Sequence, residues 1–389
     1  MLFSIVSKGY TAFAQTTVTL PVNFDPAVID PKNERAQKPE VLIPANYPLL
    51  AQRALAEALG VDLKDRKAAA DIRNFLSEGV RTQLRDVVLA DPAVIGTTAH
   101  VSILAAANID SAFKGQIDLS VPEARRKVND RQVAWMNELA QAGALEKRFN
   151  TGLFTLGASS RPESSGLSVA LIGSFMMMLI VLALALPIGV AASIYLQEFA
   201  PRNRLTDLIE VNINNLAAVP SIVYGLLGLS VFINFLSLPR SAPLVGGLVL
   251  ALMTLPTIII ATRAALAAVP PSIRAAALGL GASKMQMVFQ HVLPLAMPGI
   301  LTGTIIGLAR ALGETAPLLL IGMVAFVADR PTTPLEPATA LPVQIYMWAN
   351  EAERAFVERV SGAIIVLLVF LMAMNLAAIL LRRRFERRW

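Results

Sequence analysis

The chain has 389 residues, of which 55% are hydrophobic and 16% are charged, and its mean hydropathy is +0.58. Because soluble domains average about 25% charged residues, this composition indicates a membrane protein. Cysteine is absent from the sequence, which excludes a disulfide framework, a thiolate metal site and a thiol nucleophile.

The net charge of +6 is unevenly distributed, because the tail 382–389, "RRRFERRW", contains five arginines in eight residues. A basic cluster beside an apolar segment is typical of a cytoplasmic membrane flank and does not suggest a nucleic-acid interface. Residues 7–166 are densely charged, whereas residues 167–381 are mostly apolar. We therefore expect an aqueous domain followed by a membrane domain.

Residues 7–154 are predicted to form a small α+β domain. The segment "VTLPVNF" (18–24) alternates apolar and polar residues, which is typical of a half-buried strand, and Pro21 suits an edge strand. The predicted buried face of this strand contains Val18, Leu20, Val22 and Phe24.

Two helical segments are predicted in the same domain. Residues 65–89 place six apolar side chains near one helical face: Ile72, Phe75, Leu76, Leu84, Val87 and Val88. In the second segment Ser120 and Glu123 have the spacing of a capping box. The apolar stripe that follows contains Val128, Trp135, Leu139 and Ala142. The stretch "TLGASSRPESSG" (155–166) is rich in Ser, Gly and Pro and is interpreted as a linker.

Five apolar segments are long enough to cross a bilayer, which takes about 20 residues. They are residues 167–196, 211–238, 242–266, 295–328 and 360–381. The fourth segment is long enough to be tilted, or broken near Gly313.

The positive-inside rule places the basic tail in the cytoplasm, and the connecting loops then alternate between the two sides. The inner loops are 197–210 and 267–294, and their basic residues are Arg202, Arg204, Arg274 and Lys284. The outer segment 329–359 has more acids than bases. The domain before the first predicted span is therefore expected to be extracytoplasmic.

An extracytoplasmic N-terminal domain needs a preceding span or a signal peptide, and residues 1–6 are too short for either. We interpret residues 1–6 as the remnant of a first membrane helix, which gives six spans in the full protein. The alternative is a five-span protein with a frayed terminus.

Sequence motifs for catalysis are absent. The chain has no Gly-Lys-Ser/Thr phosphate loop, so it is not expected to hydrolyse ATP, and it has no G-x-S-x-G or H-E-x-x-H motif. Its two histidines, His100 and His291, fall on opposite sides of the membrane in this topology and cannot share a metal ion. We therefore predict no catalytic residue, no metal site and no cofactor.

The most informative stretch is the inner loop "VPPSIRAAALGLGASKMQMVFQHVLPLAMPGI" (269–300). Pro270 and Pro271 end the preceding helix, Ser272 can cap a short Ala/Leu-rich helix, and Gly281 ends it. A short apolar helix between two spans either lies on the lipid surface or docks on a soluble partner.

This loop resembles the coupling motif of ABC-importer permeases, which reads Glu-Ala-Ala, three residues, Gly, nine residues and Ile-x-Leu-Pro. The matching residues are Ala276, Ala277, Gly281, Leu293 and Pro294, the last at the entry to the next span. Ala275 stands where the family has Glu, and His291 stands where it has Ile. The resemblance implies that loop 267–294 contacts a separate ATPase through Ser272, Arg274, Ala275, Ala276, Ala277, Gly281 and Pro294.

Three further stretches sharpen the resemblance. "AAVPSIVYGLLGL" (217–229) and "ARALGETAPLL" (309–319), followed by "PATALPVQI" (337–345), are similar to the A-type permease subunit of the phosphate-specific ABC importer. The resemblance covers roughly residues 160–389. Some members of that subfamily carry a large outer insertion after their first span, which fits the predicted N-terminal domain.

Arg310 and Glu314 lie four residues apart in the fourth predicted span, so they can pair across one helical turn. Such a pair serves either as a structural or gating element or as a substrate contact. Because phosphate is an anion, we predict that arginines contact it and that Glu314 orients them. Gly313 would allow close helix approach, and Pro317 would free a carbonyl beside the pair. The predicted pathway residues are Arg263, Arg310, Gly313, Glu314, Thr315 and Pro317.

The sequence therefore predicts an all-α polytopic permease of the bacterial inner membrane with a small α+β extracytoplasmic domain and a cytoplasmic C-terminus. The resemblance implies a phosphate importer that pairs with a second permease, a cytoplasmic ATPase and an extracytoplasmic phosphate-binding protein. The alternative within the class is an importer of another oxyanion, such as molybdate or sulfate. In a different class, an envelope protein would act through its outer domain, but spans interrupted by Arg, Glu and Pro argue against mere anchoring.

Overall fold

The computed structural model describes residues 2–385, which fold as two compact units. The first, here named the N-terminal unit, runs to Gly166 and also includes Glu351–Gly362. The second, named the membrane unit, comprises Leu167–Asn350 and the chain from Ala363 onward. Residues 386–389 of the predicted basic tail and Met1 of the predicted helix remnant lie outside the described residues.

A three-stranded antiparallel sheet organises the N-terminal unit. Its strands are β1 (Ala14–Asn23), β2 (Thr98–Leu104) and β3 (Leu145–Phe149), and their order across the sheet is β2-β1-β3. Strand β1 buries the predicted face completely, which confirms the alternation of Val18, Leu20, Val22 and Phe24.

The prediction that Pro21 lies in an edge strand is wrong, because β1 is the central strand. The pairing of β1 with β3 nevertheless ends at Val18, while its pairing with β2 continues to Asn23. Thr19 donates its N–H to the Ala144 carbonyl at 2.8 Å, and alternate residues of a strand point the same way. The missing N–H of Pro21 therefore faces past the end of β3, where no ladder bond is lost.

The rest of this unit is helical. Within residues 2–166 the helices are α1 (Leu2–Gly9), α2 (Pro26–Ile29), α3 (Tyr47–Ala58), α4 (Arg66–Phe75), α5 (Val80–Ala90), α6 (Ala107–Phe113), α7 (Asp130–Gln141) and α8 (Gly152–Thr155). Short 3₁₀ turns lie at Tyr10–Phe13, Pro39–Leu42, Pro92–Val94, Glu123–Arg125 and Pro162–Ser164.

The single helical segment predicted over 65–89 is two helices, α4 and α5. The chain between them pairs with the end of β2, since Leu76 forms an antiparallel bridge with Ala105 and Ser77 donates its N–H to Leu104. This tertiary pairing interrupts a pattern that looks continuous in sequence. Of the six apolar residues predicted on one face, Ile72, Phe75, Leu76, Leu84 and Val88 are buried.

The predicted capping box at Ser120 and Glu123 is also wrong. Helix α7 begins at Asp130, and its cap is Asn129, whose side chain accepts from the Gln132 N–H at 2.8 Å. The hydroxyl of Ser120 bonds instead to Asp118 at 2.6 Å. Three members of the predicted stripe, Val128, Trp135 and Leu139, are buried, whereas Ala142 is exposed.

Four buried charges join α6 to the segment Glu351–Gly362 inside the N-terminal unit. The ammonium of Lys114 lies 2.7 Å from the Asp110 carboxylate and 3.1 Å from the Glu358 carboxylate. Asp110 also accepts two hydrogen bonds from Thr16, one from its N–H and one from its hydroxyl. Arg359 is only 2% exposed, so two cations and two carboxylates balance one another.

The membrane unit consists of helices. They are α9 (Ser168–Ile194), α10 (Arg204–Ala217), α11 (Ser221–Leu227), α12 (Pro243–Ala267), α13 (Pro271–Gly279), α14 (Lys284–Gln286), α15 (Leu293–Gly313), α16 (Ala316–Leu320), α17 (Leu341–Ala349) and α18 (Phe356–Phe385), whose first residues belong to the N-terminal unit. Wider π-helical turns extend three of them, at Tyr195–Phe199, Gly228–Phe235 and Met287–Val292.

Among the described residues, four helical segments are long and apolar enough to cross a membrane: Ser168–Phe199, Pro243–Ala267, Lys284–Gly313 and Phe356–Leu380. A fifth is counted if the bent pair Arg204–Ala217 and Ser221–Phe235 forms one span. The span predicted over 295–328 ends at Gly313, where a break was expected.

The span predicted over 211–238 is bent, because Arg204–Ala217 and Ser221–Phe235 meet at 103°, and it stays a prediction that this pair forms one span. Pro220 explains the break, since it lacks an N–H and disfavours helical geometry at Val219. Tyr224 of α11 donates its hydroxyl to the Leu216 carbonyl of α10 at 2.8 Å. This bond satisfies a carbonyl that the helix end leaves without an intrahelical partner.

Helix α12 packs against α9, α10, α11 and α15 and lies at the centre of the membrane unit. At Gly303 of α15, an added Cβ would lie 2.2 Å from the Cβ of Ala261 in α12. Glycine is therefore required for this close helix approach, as is common between membrane helices.

We predict that Lys114→Met destabilises the N-terminal unit by about 3–5 kcal/mol, because it removes both ion pairs of Lys114 and leaves two buried carboxylates facing one buried cation, Arg359. Limited proteolysis of the full-length protein in detergent, followed over a urea series, measures this change. Lys64→Met, at an exposed lysine, is the matched control and should behave like the wild type. Adding Glu358→Gln to Lys114→Met should recover part of the loss, and an equal or larger loss in the double variant would contradict the charge balance.

Candidate functional site

The predicted coupling loop, residues 267–294, folds as the short helix α13 followed by a restarted helix. Helix α13 ends in a Schellman motif, in which Ala282 donates its N–H to Ala277 at 3.1 Å and Gly281 donates to Leu278 at 3.0 Å. Gly281 has φ +88°, a left-handed conformation that glycine adopts without strain. The predicted helix stop at Gly281 is therefore present, and its cause is this backbone geometry.

Two other predicted roles in the loop differ in the structure. Ser272 does not cap α13, whose N-terminal flank is Pro270 and which has no side-chain cap. The capping box lies eleven residues later, where Ser283 and Gln286 exchange hydrogen bonds between side chain and backbone. Pro294 lies inside a helical run that is continuous over Lys284–Gly313, so this helix begins ten residues before the proline.

Arg274 anchors the loop. Its guanidinium donates to the Glu198 carboxylate, with the shortest contact at 2.8 Å, and to two carbonyls at the end of α12. Those carbonyls belong to Leu266 at 2.8 Å and Val269 at 2.7 Å. The last carbonyls of a helix have no intrahelical donor, so Arg274 supplies hydrogen bonds to the carbonyls at the end of α12. The same side chain holds α13 against the end of α9. No local sequence pattern indicates this role of Glu198, because its partner Arg274 lies 76 positions away.

The opposite side of α13 is exposed. Ala277 is buried against Met287, Val288 and Val292, whereas Ala275 and Ala276 are exposed. Two leucines at the end of the helix are also exposed, Leu278 at 48% and Leu280 at 91%. The loop therefore presents small and apolar side chains on a rigid, capped helix, which is the geometry of a docking element.

Arg263 lies in α12 and pairs with Glu210 of α10, with a nitrogen–oxygen distance of 2.5 Å. Its side chain is 22% exposed, and its Nε has no acceptor among the described residues. Within residues 2–385, no hydrogen bond or ion pair joins Arg263 to Arg310. The structure thus compensates one predicted pathway arginine with a carboxylate on a neighbouring helix.

Arg310 and Glu314 do come together, as the four-residue spacing predicted. Their contact is 3.7 Å, which is too long for a hydrogen bond, and the Arg310 side chain is 49% exposed. Helix α15 ends at Gly313, so Glu314 and Thr315 lie in the break before α16. Arg310 is therefore held loosely and keeps donor groups available.

The predicted role of Gly313 is wrong, whereas the carbonyl that Pro317 is expected to free stays a prediction. An added Cβ at Gly313 would meet no atom within 4 Å, so this glycine does not serve a close helix approach. The close approach occurs at Gly225 of α11, where an added Cβ would lie 2.7 Å from the Cα of Pro317. Pro317 sits in the first turn of α16, where a helix needs no N–H. The two sequence stretches around these residues, 217–229 and 309–319, therefore pack directly against each other.

Within residues 2–385, no group of three or more histidine, aspartate or glutamate side chains is arranged to hold a metal ion. The features that stand out are the anchored loop and the intramembrane ion pairs. Both belong to the membrane unit.

Comparison with known proteins identifies the family. A family profile described as "Binding-protein-dependent transport system inner membrane component" matches residues 185–389, which is more than half of the chain. The chain belongs to this family. It is therefore a permease component of an ABC importer, and its fold is the mostly helical permease fold that the sequence predicted. A second profile, a domain of unknown function (DUF3333), matches residues 1–123.

Similar curated proteins are permeases of the same kind. The chain is 30% identical over 237 residues to the "Probable ABC transporter permease protein YqgI" of Bacillus subtilis, covering 58% of this chain and 80% of that protein. It is 33% identical over 219 residues to the "Phosphate transport system permease protein PstA 1" of Mycobacterium tuberculosis, covering 56% and 71%. The corresponding PstA of Haemophilus influenzae is 34% identical over 198 residues, covering 51% and 68%. This ABC permease is thus of the phosphate-permease type.

Among solved structures, the inward-facing MetNI methionine ABC transporter resembles this ABC permease with a TM-score of 0.46 and 17% identity. That alignment covers 57% of this chain and 98% of the MetNI chain.

We predict that Arg274→Gln and Glu198→Gln each loosen the coupling loop, because each variant leaves the other charge without its partner. Hydrogen exchange of the amides of residues 271–282, in the full-length protein in detergent, measures the loosening. The loss in the free energy of local opening in the double variant should be smaller than the sum of the two single losses by about 0.5–3 kcal/mol. Arg202→Gln, at an exposed arginine nearby, is the control and should leave exchange unchanged. Strictly additive effects would show that the pair does not hold the loop.

Proposed function

We propose that this ABC permease is one of two permease subunits of an ATP-driven phosphate importer. The likeness to phosphate permeases over the membrane unit supports the substrate class. The observation that carries the proposal is the capped helix α13, which is anchored by Arg274 and exposes small and apolar side chains. This helix docks on a separate ATPase, and ATP hydrolysis there drives the membrane helices through the Arg274 anchor.

The orientation follows from the charges. The inner segments 197–210 and 267–294 contain basic residues, and the helix that leads into the basic tail is the last span. The C-terminus is then cytoplasmic, and the N-terminal unit is extracytoplasmic in the inner membrane. The ATPase contacts loop 267–294 from the cytoplasm, and a phosphate-binding protein delivers substrate on the other side.

A second permease subunit covers the surface that this chain leaves open. Helix α10 has no buried residue, although it exposes Leu205 at 65%, Leu208 at 58% and Val211 at 54%. The neighbouring turn ends with Phe235, which is 80% exposed. Apolar side chains on a membrane helix can face lipid or protein, and the bend between α10 and α11 favours a protein partner that fills it.

Arg310 is the better of the two candidate phosphate contacts. Arg263 is already paired with Glu210 at 2.5 Å, whereas the contact between Arg310 and Glu314 is longer and Arg310 is half-exposed. A guanidinium that keeps free donors binds phosphate in a bidentate manner. A nearby carboxylate lowers the free-energy cost of placing the guanidinium charge in the membrane. Arg263 then serves the packing of α10 on α12.

The coupling role predicts a sharp contrast at Gly281. Gly281→Val should abolish transporter-stimulated ATP hydrolysis while membrane insertion stays normal, because a β-branched residue is strained at φ +88° and no neighbour lies within 4 Å to clash. Gly281→Asn, which tolerates this conformation, should retain most of the stimulation. Both are measured with the reconstituted importer and its ATPase. Normal stimulation in Gly281→Val would remove the main support for docking at α13.

The two arginines should respond differently. Arg310→Gln should lower phosphate uptake at least about tenfold, the equivalent of about 1.4 kcal/mol, at normal membrane abundance. Arg263→Gln should lower abundance instead, because it leaves Glu210 unpaired in the membrane unit. Phosphate uptake and abundance in membrane vesicles separate the outcomes. Normal uptake in Arg310→Gln would exclude Arg310 as the contact, and uptake of sulfate or molybdate in place of phosphate would contradict the proposed substrate.

A further inference from the structure

The N-terminal unit contains a polar cleft that neither the transport chemistry nor the family assignment explains. Its volume is about 510 Å³, and all its lining residues belong to the N-terminal unit. This volume lies within the range of about 300–1,000 Å³ that is typical of small-molecule sites. Nine charged side chains line the cleft. The basic ones are Arg73, Arg126, Lys127 and Arg161, and the acidic ones are Asp71, Glu78, Glu123, Glu163 and Glu353.

Glu163 supplies an acceptor without a partner. Its side chain is 5% exposed, one carboxylate oxygen accepts from the Ser77 hydroxyl at 2.8 Å, and the other has no donor among the described residues. Buried Arg359 interacts electrostatically with Glu163 as well as with Asp110 and Glu358, so the five buried side chains Asp110, Lys114, Glu163, Glu358 and Arg359 together carry one excess negative charge. Burial, with Glu353 adding to it, raises the pKa of Glu163. A buried carboxylate with a free oxygen in a cleft wall is a site for a cationic donor.

Arg126 supplies the opposite group. Its side chain is 7% exposed and pairs with Asp130 through Nη2, but its buried Nε has no acceptor among the described residues. Arg73 and Lys127 line the same cleft and add positive charge. An arginine with a buried free donor, backed by two further cations, is suited to a carboxylate or a similar anion.

We propose that this cleft binds a short zwitterionic peptide, with its carboxylate on Arg126 and its ammonium on Glu163. The size of the cleft supports a length of about three residues. A sphere of 510 Å³ would be about 10 Å across, and three extended residues span about the same length at roughly 3.4 Å each. Asn74, Asn108 and Gln132 also line the cleft and offer amide groups to the peptide backbone.

The test uses full-length protein in detergent and tri-alanine as the probe, with binding measured by calorimetric titration. We expect a dissociation constant below about 1 mM. N-acetyl-tri-alanine, which lacks the ammonium, and tri-alanine amide, which lacks the carboxylate, should each bind at least about tenfold more weakly. These comparisons use the wild-type protein, so they do not depend on whether a variant folds.

Variants then assign each end of the peptide. Glu163→Gln should lower the affinity for tri-alanine as much as acetylation of the peptide does. In that variant acetylation should lower the affinity no further, because both changes remove the same ion pair. Arg126→Gln should likewise lower the affinity as much as amidation of the peptide does, and amidation should lower it no further in that variant. Glu57→Gln, at an exposed carboxylate outside the cleft, is the matched control and should bind like the wild type.

Three results would overturn the proposal. They are no binding of tri-alanine at 10 mM, equal binding of the acetylated and free peptides, and a loss of affinity on acetylation that persists in full in Glu163→Gln. None of these results bears on phosphate uptake, so the proposal stands or falls separately from the transport function.

Discussion

In a bilayer, each helix end and each charge must find its partner inside the protein, and this constraint determines where polar residues occur in the membrane unit. The broken helices show how it is met. Tyr224 bonds to a carbonyl at the end of α10, and Arg274 bonds to two carbonyls at the end of α12. At other breaks, Ser241 donates to the Gly322 carbonyl and Thr339 donates to the Met323 carbonyl at 2.9 Å. Polar side chains at these breaks thus supply hydrogen bonds to carbonyls beside the helix ends.

The same constraint sorts the charges by role. Arg274 is saturated by a carboxylate and two carbonyls, and Arg263 is held by Glu210. A saturated guanidinium can transmit movement between elements, but it has little left to offer a substrate. Arg310 is the exception, with a 3.7 Å contact and a half-exposed side chain. The proposed coupling contact and the proposed anion contact therefore fall on different arginines, Arg274 and Arg310, which differ in the number of bonds that each already makes.

Local patterns predicted the local features of this chain, and distant partners account for the errors. The alternation in β1 and the helix stop at Gly281 depend on the residues themselves, so the sequence predicted them correctly. For residues 295–328 the sequence left a tilted and a broken helix open, and the helix ends at Gly313. The partner of Arg274, by contrast, is Glu198, which is 76 positions away and appeared to be an ordinary span boundary. The split of 65–89 into α4 and α5 likewise follows from a bridge to Ala105, which no local signal reveals.

The composition of the N-terminal unit has a consequence for how its function can be studied. The unit includes Glu351–Gly362, so a fragment that ends at Gly166 would lack Glu358 and Arg359. Lys114 and Asp110 would keep each other, but Arg359 would no longer fill the buried space beside them, and polar groups would be exposed that are now enclosed. Glu358 and Arg359 also lie at the start of α18, a 30-residue helix. The fold of the domain thus depends on the first turns of the last membrane helix, and its ligand chemistry has to be measured in the full chain.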